Sequence, residues 1–143
     1  MILRGSQVVA VCLLLATLPA CSIKHIAVNK IGNALASGGS TYESDDDPDL
    51  VGDALPFGLK LIESLLAESP RHKGLLLAAA SGFTMYSYAF VEQRADQAMA
   101  ESLDRASHLR ARARRLYLRA HGYGLRGLEL KHPGLGSALD AGP

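Results

Sequence analysis

Apolar residues recur at every third or fourth position after Asp47, and this spacing predicts an amphipathic helix that ends before Pro70. Asp47 can cap the helix through its side chain, and Pro48 suits the first helical position because no backbone N–H is needed there. Pro70 cannot continue the helix, so the chain is expected to turn at Ser69-Pro70. The predicted buried stripe consists of Leu50, Val51, Leu55, Leu59, Ile62 and Leu66.

A second helix is predicted from Gly74 to Val91, where no side chain is charged and apolar residues occur on every face. A helix of this kind is either buried among other helices or inserted in a bilayer. Its length is at the lower limit for a membrane span, and small residues such as Ala79 and Gly82 allow close helix approach. We therefore predict a buried central helix covered by other helices, with a membrane span as the alternative.

A helix is also predicted before this pair, from Ile23 to Ser37, with Gly38-Gly39 as its stop signal. Its weakly charged polar face favours packing on the central helix over lying on a membrane. The residues expected on its buried face are Ile23, Ile26, Ala27, Ile31, Ala34 and Leu35.

A long helix follows the central pair, from Leu103 to Leu130, after a helix end, a bend and a new start in residues 92–102. Its apolar stripe is Leu109, Ala113, Leu116, Ala120, Tyr123 and Gly127, and a separate stripe carries Arg112, Arg115, Arg119 and Arg126. Arginine stems are expected to cover apolar surface while their heads stay in water. Pro133-Gly134 ends this element, and residues 134–143 are predicted to form a flexible tail.

The first 20 residues have the pattern of a signal peptide, with Arg4 before an apolar run from Val8 to Leu18. The ending Leu18-Pro19-Ala20-Cys21 resembles the bacterial lipobox, although Pro19 departs from the residue most common at its position. This resemblance predicts lipid attachment at Cys21 and an envelope protein that faces the periplasm. Ser22, in place of an inner-membrane retention Asp, indicates the outer membrane. A plain secretory peptide with an incidental cysteine is the alternative.

The charge balance gives no general preference for nucleic acid, because removing Arg4 from the 15 basic residues leaves 14, equal to the 14 acidic ones. The length favours a single domain. The distribution of charge is uneven: Glu43 to Asp53 holds six acidic residues, and Arg105 to Arg126 holds seven arginines without an acid. Either these segments take part in subunit assembly, or they are two solvated faces.

No pattern for catalysis, metal binding or cofactor binding is found, so we predict a protein that is not an enzyme. The aspartates at 45, 46, 47 and 49 lack EF-hand spacing, and a helix-capping loop is favoured. Gly122-Tyr123-Gly124-Leu125-Arg126-Gly127 matches the dinucleotide glycine pattern but follows a helical run instead of a strand. Ser81-Gly82 lacks the first glycine of a nucleophile elbow, and Cys12 leaves with the leader. The five histidines have no ligand spacing: His25, His72, His108, His121 and His132.

Two long phrases of the sequence are DPDLVGDALPFGLKLIESLLAESPRHKGLLLAAASGFTMYSYAFV and RRLYLRAHGYGLRGLELKHPG. They resemble the TatT family of periplasmic lipoproteins, which are associated with TRAP-type (tripartite ATP-independent periplasmic) transporters. The resemblance implies an all-α fold of tetratricopeptide-like antiparallel helical hairpins, an α-solenoid fragment, over residues 21–133. It also implies a homotrimer with a pore-like channel and the periplasmic substrate-binding protein of a TRAP transporter as partner. Glu68-Ser69-Pro70-Arg71 and Leu130-Lys131-His132-Pro133 resemble the ends of such hairpins.

The chain departs from that family by stopping soon after Gly134, where family members continue for several helices. This predicts a truncated chain with apolar residues exposed on its last long helix, among them Leu109, Leu116 and Leu128. The leading hypothesis is a lipid-anchored scaffold that helps to pass a small hydrophobic or organic-acid ligand to a TRAP-type system. The alternatives are a small structural lipoprotein without a transport role and an inactive fragment.

Overall fold

The described part of the chain is helical. The computed structural model describes residues 20–37, 42 and 44–142. Side chains are described for residues 26–37, 42 and 44–142. Its elements are α1 (Ala20–Ser37), α2 (Pro48–Glu68), α3 (Lys73–Tyr86), a π-helical segment (Ser87–Glu92), α4 (Gln93–Ala98), α5 (Leu103–Glu129) and α6 (Leu135–Asp140). These residues contain no strand, so the predicted all-α class is confirmed. The tetratricopeptide-like repeat remains a prediction.

The helix α3 lies at the centre and contacts α1, α2 and α5. Its neighbours α2 and α5 both run antiparallel to it. On the α2 side, Gly52 approaches Phe90 while Leu59 approaches Gly82. On the α5 side, the ring of Phe83 stacks on that of Tyr123, 5.9 Å between centroids. The structure therefore confirms the predicted central position of this helix.

The burial of the central helix is one-sided, which differs from the complete covering that we predict. Leu75 and Leu76 are fully buried, with Val91 and Ser87 of the π-helical segment. Leu77, by contrast, is 71% exposed and Tyr88 is 62% exposed. The continuous helix Lys73–Ala98 is long and apolar enough to cross a membrane by length and composition, a criterion that the core helix of a soluble protein also meets. In this structure its buried face packs on three other helices.

The helix α2 begins and ends where its capping chemistry predicts. The Asp47 carboxylate accepts a hydrogen bond from the Leu50 backbone N–H, 3.0 Å away, and Pro48 occupies the first helical position. The C-terminal end lies at Glu68, next to Ser69-Pro70. The prediction that Leu50 is buried is wrong, since this side chain is 58% exposed and lies on the outer face. Val51, Leu55, Leu59 and Leu66 are buried as predicted.

The buried face of α1 differs from the predicted one. Ile26 and Ile31 are 54% and 52% exposed, whereas Val28 and Gly32 are buried. A Cβ built on Gly32 would lie only 3.0 Å from both the His72 ring and Leu75, so the two helices touch at this glycine. The sequence pattern favours large apolar side chains, but a close helix crossing selects the face with the smallest residue. Leu35 is partly buried, as the prediction requires.

The second half of the chain extends the predicted helical segments in two places. The helix predicted from Gly74 to Val91 continues to Ala98 through the π-helical segment, so its end falls within the predicted range of residues 92–102. In that segment the Ser87 hydroxyl donates to the Phe83 carbonyl oxygen, 2.6 Å away. The tail expected to be flexible contains α6, and the Glu129 carboxylate accepts hydrogen bonds from the backbone N–H groups of Gly134 and Gly136. The long helix α5 matches its prediction, including the new start after Ser102.

The interior face of α5 also matches its prediction. Ala113 and Ala120 are buried, and Leu109, Leu116, Tyr123 and Gly127 are partly buried. Truncation predicts that Leu109, Leu116 and Leu128 are exposed. Leu109 and Leu116 are partly buried instead, whereas 48% of the Leu128 surface is exposed, as predicted.

Two glycines in helix interiors provide a matched test of the packing. A Cβ on Gly122 in α5 would meet no atom within 4 Å, whereas one on Gly52 in α2 would lie 2.7 Å from the Phe90 ring. We expect Gly122→Ala to raise the free energy of unfolding by about 0.5–1 kcal/mol, because alanine orders more readily in a helix. Gly52→Ala is expected to lower it, since Phe90 must move. Urea denaturation followed by circular dichroism measures both, and equal effects of the two changes would contradict the packing described.

Candidate functional site

A cavity of about 290 Å³ lies between α1, α2 and α3. Small residues make the space: Gly58 from α2, Ala78 and Gly82 from α3, and Ala36 from α1. The larger lining side chains are Leu35, Tyr42, Leu55, Leu59, Ile62, Leu77 and Met85. The sequence predicts only close helix approach at Gly82, and Gly82 does approach Leu59, whose Cδ2 atom lies 2.7 Å from a Cβ built on the glycine. The cavity itself has no sequence signal, because it depends on three helices meeting.

The lining of this cavity carries three hydroxyl groups and no charged side chain. The Ser37 hydroxyl donates to the Asn33 carbonyl oxygen, and the Ser81 hydroxyl donates to the Leu77 carbonyl oxygen, 3.0 Å away. The Tyr42 hydroxyl lies 3.1 Å from a Cβ built on Gly58 and makes no hydrogen bond within the described part of the chain. The site therefore combines apolar walls with one hydroxyl that has no protein partner among the described residues.

A charged network joins α2 to α5 on the other side of the central helix. Glu63, with 11% of its side chain exposed, is its centre. Its Oε1 atom accepts from the Tyr123 hydroxyl at 2.7 Å and lies 3.2 Å from the Arg119 Nε atom. Its Oε2 atom lies 2.6 Å from the Lys60 Nζ atom. Both oxygens of a mostly buried carboxylate are thus satisfied by partners up to 60 residues away.

The same network shifts two pKa values. Burial raises the pKa of Glu63, but the hydrogen bonds from Lys60 and Tyr123 and the charge of Arg119 outweigh it, so the net pKa is lower than the ordinary value. The pKa of Tyr123 is raised to about 12, first by burial and then by its hydrogen bond to the Glu63 carboxylate. Glu63 is consequently ionised and Tyr123 neutral near neutral pH. The pair acts as a fixed structural bridge.

Three arginines spaced seven residues apart on α5 lie over aromatic rings. The Arg112 guanidinium is 5.7 Å from the Tyr86 ring centroid, and Arg119 is 5.3 Å from that of Phe83. Arg126 is 5.4 Å from the Tyr123 ring and donates to the Pro70 carbonyl oxygen at 3.0 Å. The prediction is that arginine stems cover apolar surface while their heads stay in water. In these three residues the heads themselves make cation–π contacts, which the spacing does not reveal.

The other residues considered from sequence have structural roles where the structure describes them. Asp47 caps α2, and the Asp45 carboxylate accepts from the Asp47 backbone N–H, as expected of a capping loop. The His72 Nδ1 atom accepts from the Leu75 backbone N–H at 3.1 Å and caps α3, a role that the sequence analysis missed. The pattern Gly122–Gly127 lies inside α5, in the helical context that we predict.

The predicted leader and the cysteine predicted to carry lipid lie largely outside the described residues. Residues 1–19 and the side chain of Cys21 lie outside the described residues, so lipid attachment at Cys21 stays a prediction. Among the described residues, no group of three or more His, Cys, Asp or Glu side chains is placed to hold a metal ion.

Comparison with known proteins gives the family. A protein of Treponema pallidum (strain Nichols), described as uncharacterized, is 34% identical, and the match covers 87% of this chain and 42% of that protein. The chain thus spans less than half the length of this relative. No solved structure matches. The family model for the TRAP transporter T-component matches residues 44–143, which include the central helix and every helix after it. On this match, the chain belongs to the TRAP transporter T-component family, TAtT.

Proposed function

We propose that this protein is a lipid-anchored periplasmic component of a TRAP-type uptake system, in which it serves as a non-catalytic scaffold for the substrate-binding protein and its ligand. The observation that carries the proposal is the family match over residues 44–143, since this family is associated with TRAP transporters and is an accessory transporter component. The scaffold role is supported by the helical array, in which α2, α3 and α5 are bound together by the core and by Glu63.

The lipid anchor in this proposal rests on the sequence before α1. Leu18-Pro19-Ala20-Cys21 resembles a lipobox, and acylation of Cys21 by more than one chain gives stable attachment. The proposed location is the periplasmic side of the cell envelope, with Ser22 favouring the outer membrane. The helix α1 then leads directly from the membrane into the helical array, because it packs on α2 and α3.

The proposed partner is the periplasmic substrate-binding protein of the transporter, and the proposed assembly is a homotrimer. Both come from the family resemblance. Exposed groups on α5 are available for assembly: in the described chain Arg114 and Arg115 form no ion pair with a described carboxylate. Because the chain covers 42% of its relative, the activity of the whole relative is also only a proposal for this chain.

One experiment tests anchoring and partnership together. We expect the protein, expressed in its native envelope and labelled with radioactive palmitate, to carry label and to co-purify with the substrate-binding protein from detergent extracts. Cys21→Ser is expected to remove the label and to release the protein from the membrane fraction. Ser22→Ala is the control that should leave labelling unchanged. An unlabelled wild-type protein contradicts the anchor. Absence of the binding protein from the purified material contradicts the partnership and favours a small structural lipoprotein.

A further inference from the structure

We propose that the cavity between α1, α2 and α3 is a binding site for a small neutral, largely aliphatic molecule that carries a single hydroxyl or carbonyl group. This inference deepens the proposed function, because it narrows the ligand class that the protein takes. It rests on the size of the cavity, on the chemistry of its lining and on the state of one tyrosine.

The size of the cavity is the first argument. The cavity is a cleft of about 290 Å³ that opens to solvent beside the exposed residues Leu77 and Ser81. Small-molecule sites have volumes of roughly 300–1,000 Å³, and this cavity is at the lower end of that range. It therefore suits a short aliphatic chain or a single ring.

The lining determines the charge of the ligand. No lysine, arginine or histidine borders the cavity, so a carboxylate placed against its apolar walls would give up part of its hydration and gain no cationic partner. The arginines of α5 cannot supply that partner, because Arg112, Arg119 and Arg126 lie over rings on the far side of α3. Of the two ligand classes predicted from sequence, the hydrophobic class fits this cavity and the organic-acid class does not.

The Tyr42 hydroxyl is the polar group of the site that would bind the ligand. Tyr42 is half-buried, and its hydroxyl makes no hydrogen bond within the described chain, so it is free to bind a ligand atom. It lies over Gly58, and any larger residue at that position would crowd it, since the Cβ distance is already 3.1 Å. The Ser37 and Ser81 hydroxyls are occupied by backbone carbonyl groups of their own helices. Tyr42 is therefore the group that would bind the oxygen of the ligand.

The test compares two probes with eight carbons, a neutral alcohol and a carboxylate anion. The purified protein is titrated with 1-octanol or octanoate at pH 8, and the heat of binding is measured by isothermal titration calorimetry. We expect 1-octanol to bind at a single saturable site and at least about tenfold more tightly than octanoate, because a carboxylate finds no cationic partner in the lining. No saturable binding of 1-octanol, or binding of octanoate with equal affinity, would overturn the proposal.

Matched variants locate the binding. Ala78→Leu fills the cavity from α3, and Ala111→Leu makes the same change at an exposed site on α5. Ser81→Leu narrows the cavity at an exposed lining position, and Ser107→Leu is its control, since both hydroxyls donate to the carbonyl oxygen four residues earlier. We expect both cavity variants to lose at least about tenfold in 1-octanol affinity and both controls to lose none. Equal losses in the cavity variants and their controls would contradict the assignment.

Tyr42→Phe isolates the hydrogen bond. This change removes the hydroxyl and leaves the ring, so the affinity for 1-octanol is expected to fall about fivefold, the effect of one neutral hydrogen bond. An unchanged affinity would show that the hydroxyl does not bind the ligand. Thermal unfolding by circular dichroism checks that every variant is folded. These measurements involve no transporter component, so failure to bind leaves the proposed transport role standing, and failure to co-purify leaves the cavity assignment standing.

Discussion

Leu75→Ala is expected to lower the free energy of unfolding by about 3–4 kcal/mol, the typical cost of deleting a fully buried leucine side chain. Leu75 is completely buried in the face of α3 that packs against other helices, and its side chain also contacts α1 at Gly32. The substitution leaves a void among rigid helices that cannot close around it without backbone movement. Urea denaturation of the purified protein, followed by circular dichroism, measures the change.

Leu77→Ala is the matched control, two residues further along the same helix. Leu77 is 71% exposed, so the same truncation is expected to change the free energy of unfolding by about 0.5 kcal/mol or less. The two variants have the same composition and almost the same helix propensity, and only burial distinguishes them. If Leu77→Ala is as destabilising as Leu75→Ala, then something other than the described core covers the outer face of α3, and the one-sided burial is incorrect.

Glu63→Ala is expected to lower the free energy of unfolding by about 2 kcal/mol, because the change leaves partly buried donors without their acceptor. Arg119 and Tyr123 lose the carboxylate oxygen that they share, at 3.2 and 2.7 Å respectively, and Lys60 loses its ion pair. Glu101→Ala is the control, since Glu101 meets Arg105 only at 4.0 Å on an exposed surface, where ion pairs contribute little. Similar losses in the two variants would contradict a central role for Glu63.

The effect of Glu63→Ala is also expected to depend on pH. The pKa of Glu63 is lower in the folded protein than its ordinary value of 4.5, because the donated hydrogen bonds and the Arg119 charge outweigh the effect of burial. A carboxyl group with a lowered folded-state pKa contributes full stability above its ordinary pKa and loses that contribution as the pH falls through the folded-state pKa. The difference between wild type and Glu63→Ala should therefore be constant from pH 8 to pH 6 and should shrink below pH 4.5.

The Glu63 network and the cavity lie on opposite sides of the central helix, so the network can support the cavity without lining it. The network fixes α2 against α5, so the positions of Leu59 and Ile62, which line the cavity from α2, depend on a rigid frame. Binding sites supported by rigid elements keep their geometry better than sites on loops. The stability experiments on Glu63 and the ligand experiments on Ala78 therefore examine the support and the site separately.

The residues at helix ends were the easiest to predict. Asp47, Pro48 and Ser69-Pro70 set the limits of α2, and Ser102 precedes α5, because capping and proline effects act within three or four residues of the chain. The glycine pattern from Gly122 to Gly127 lies in a helix, as predicted from the helical run of residues before it. Family membership was also accessible, since two long phrases carry it and the family model matches residues 44–143.

The candidate site could not be predicted from the sequence. Tyr42 belongs to no motif, and nothing in the sequence at Gly58 or Ala78 indicates a cavity, because α1, α2 and α3 form it together. The long-range partners of Glu63, Arg119 and Tyr123, could not be predicted either, since Tyr123 lies 60 residues away. A signal that could have helped is the run of small residues on α3, which leaves space wherever the facing helix does not fill it.

The sequence by itself determined the helical class, the central uncharged helix, most of the helix boundaries and the family, because these follow from local periodicity, capping and long matching phrases. Only the tertiary structure decided which faces are buried, as Leu50, Ile26 and Ile31 show by lying outside. It also decided that a cavity remains between three helices and that Glu63 joins α2 to α5. The physical reason is that burial and pairing depend on which surfaces meet across long stretches of chain, and a close crossing at Gly32 outweighs the preference of larger apolar side chains for the interior.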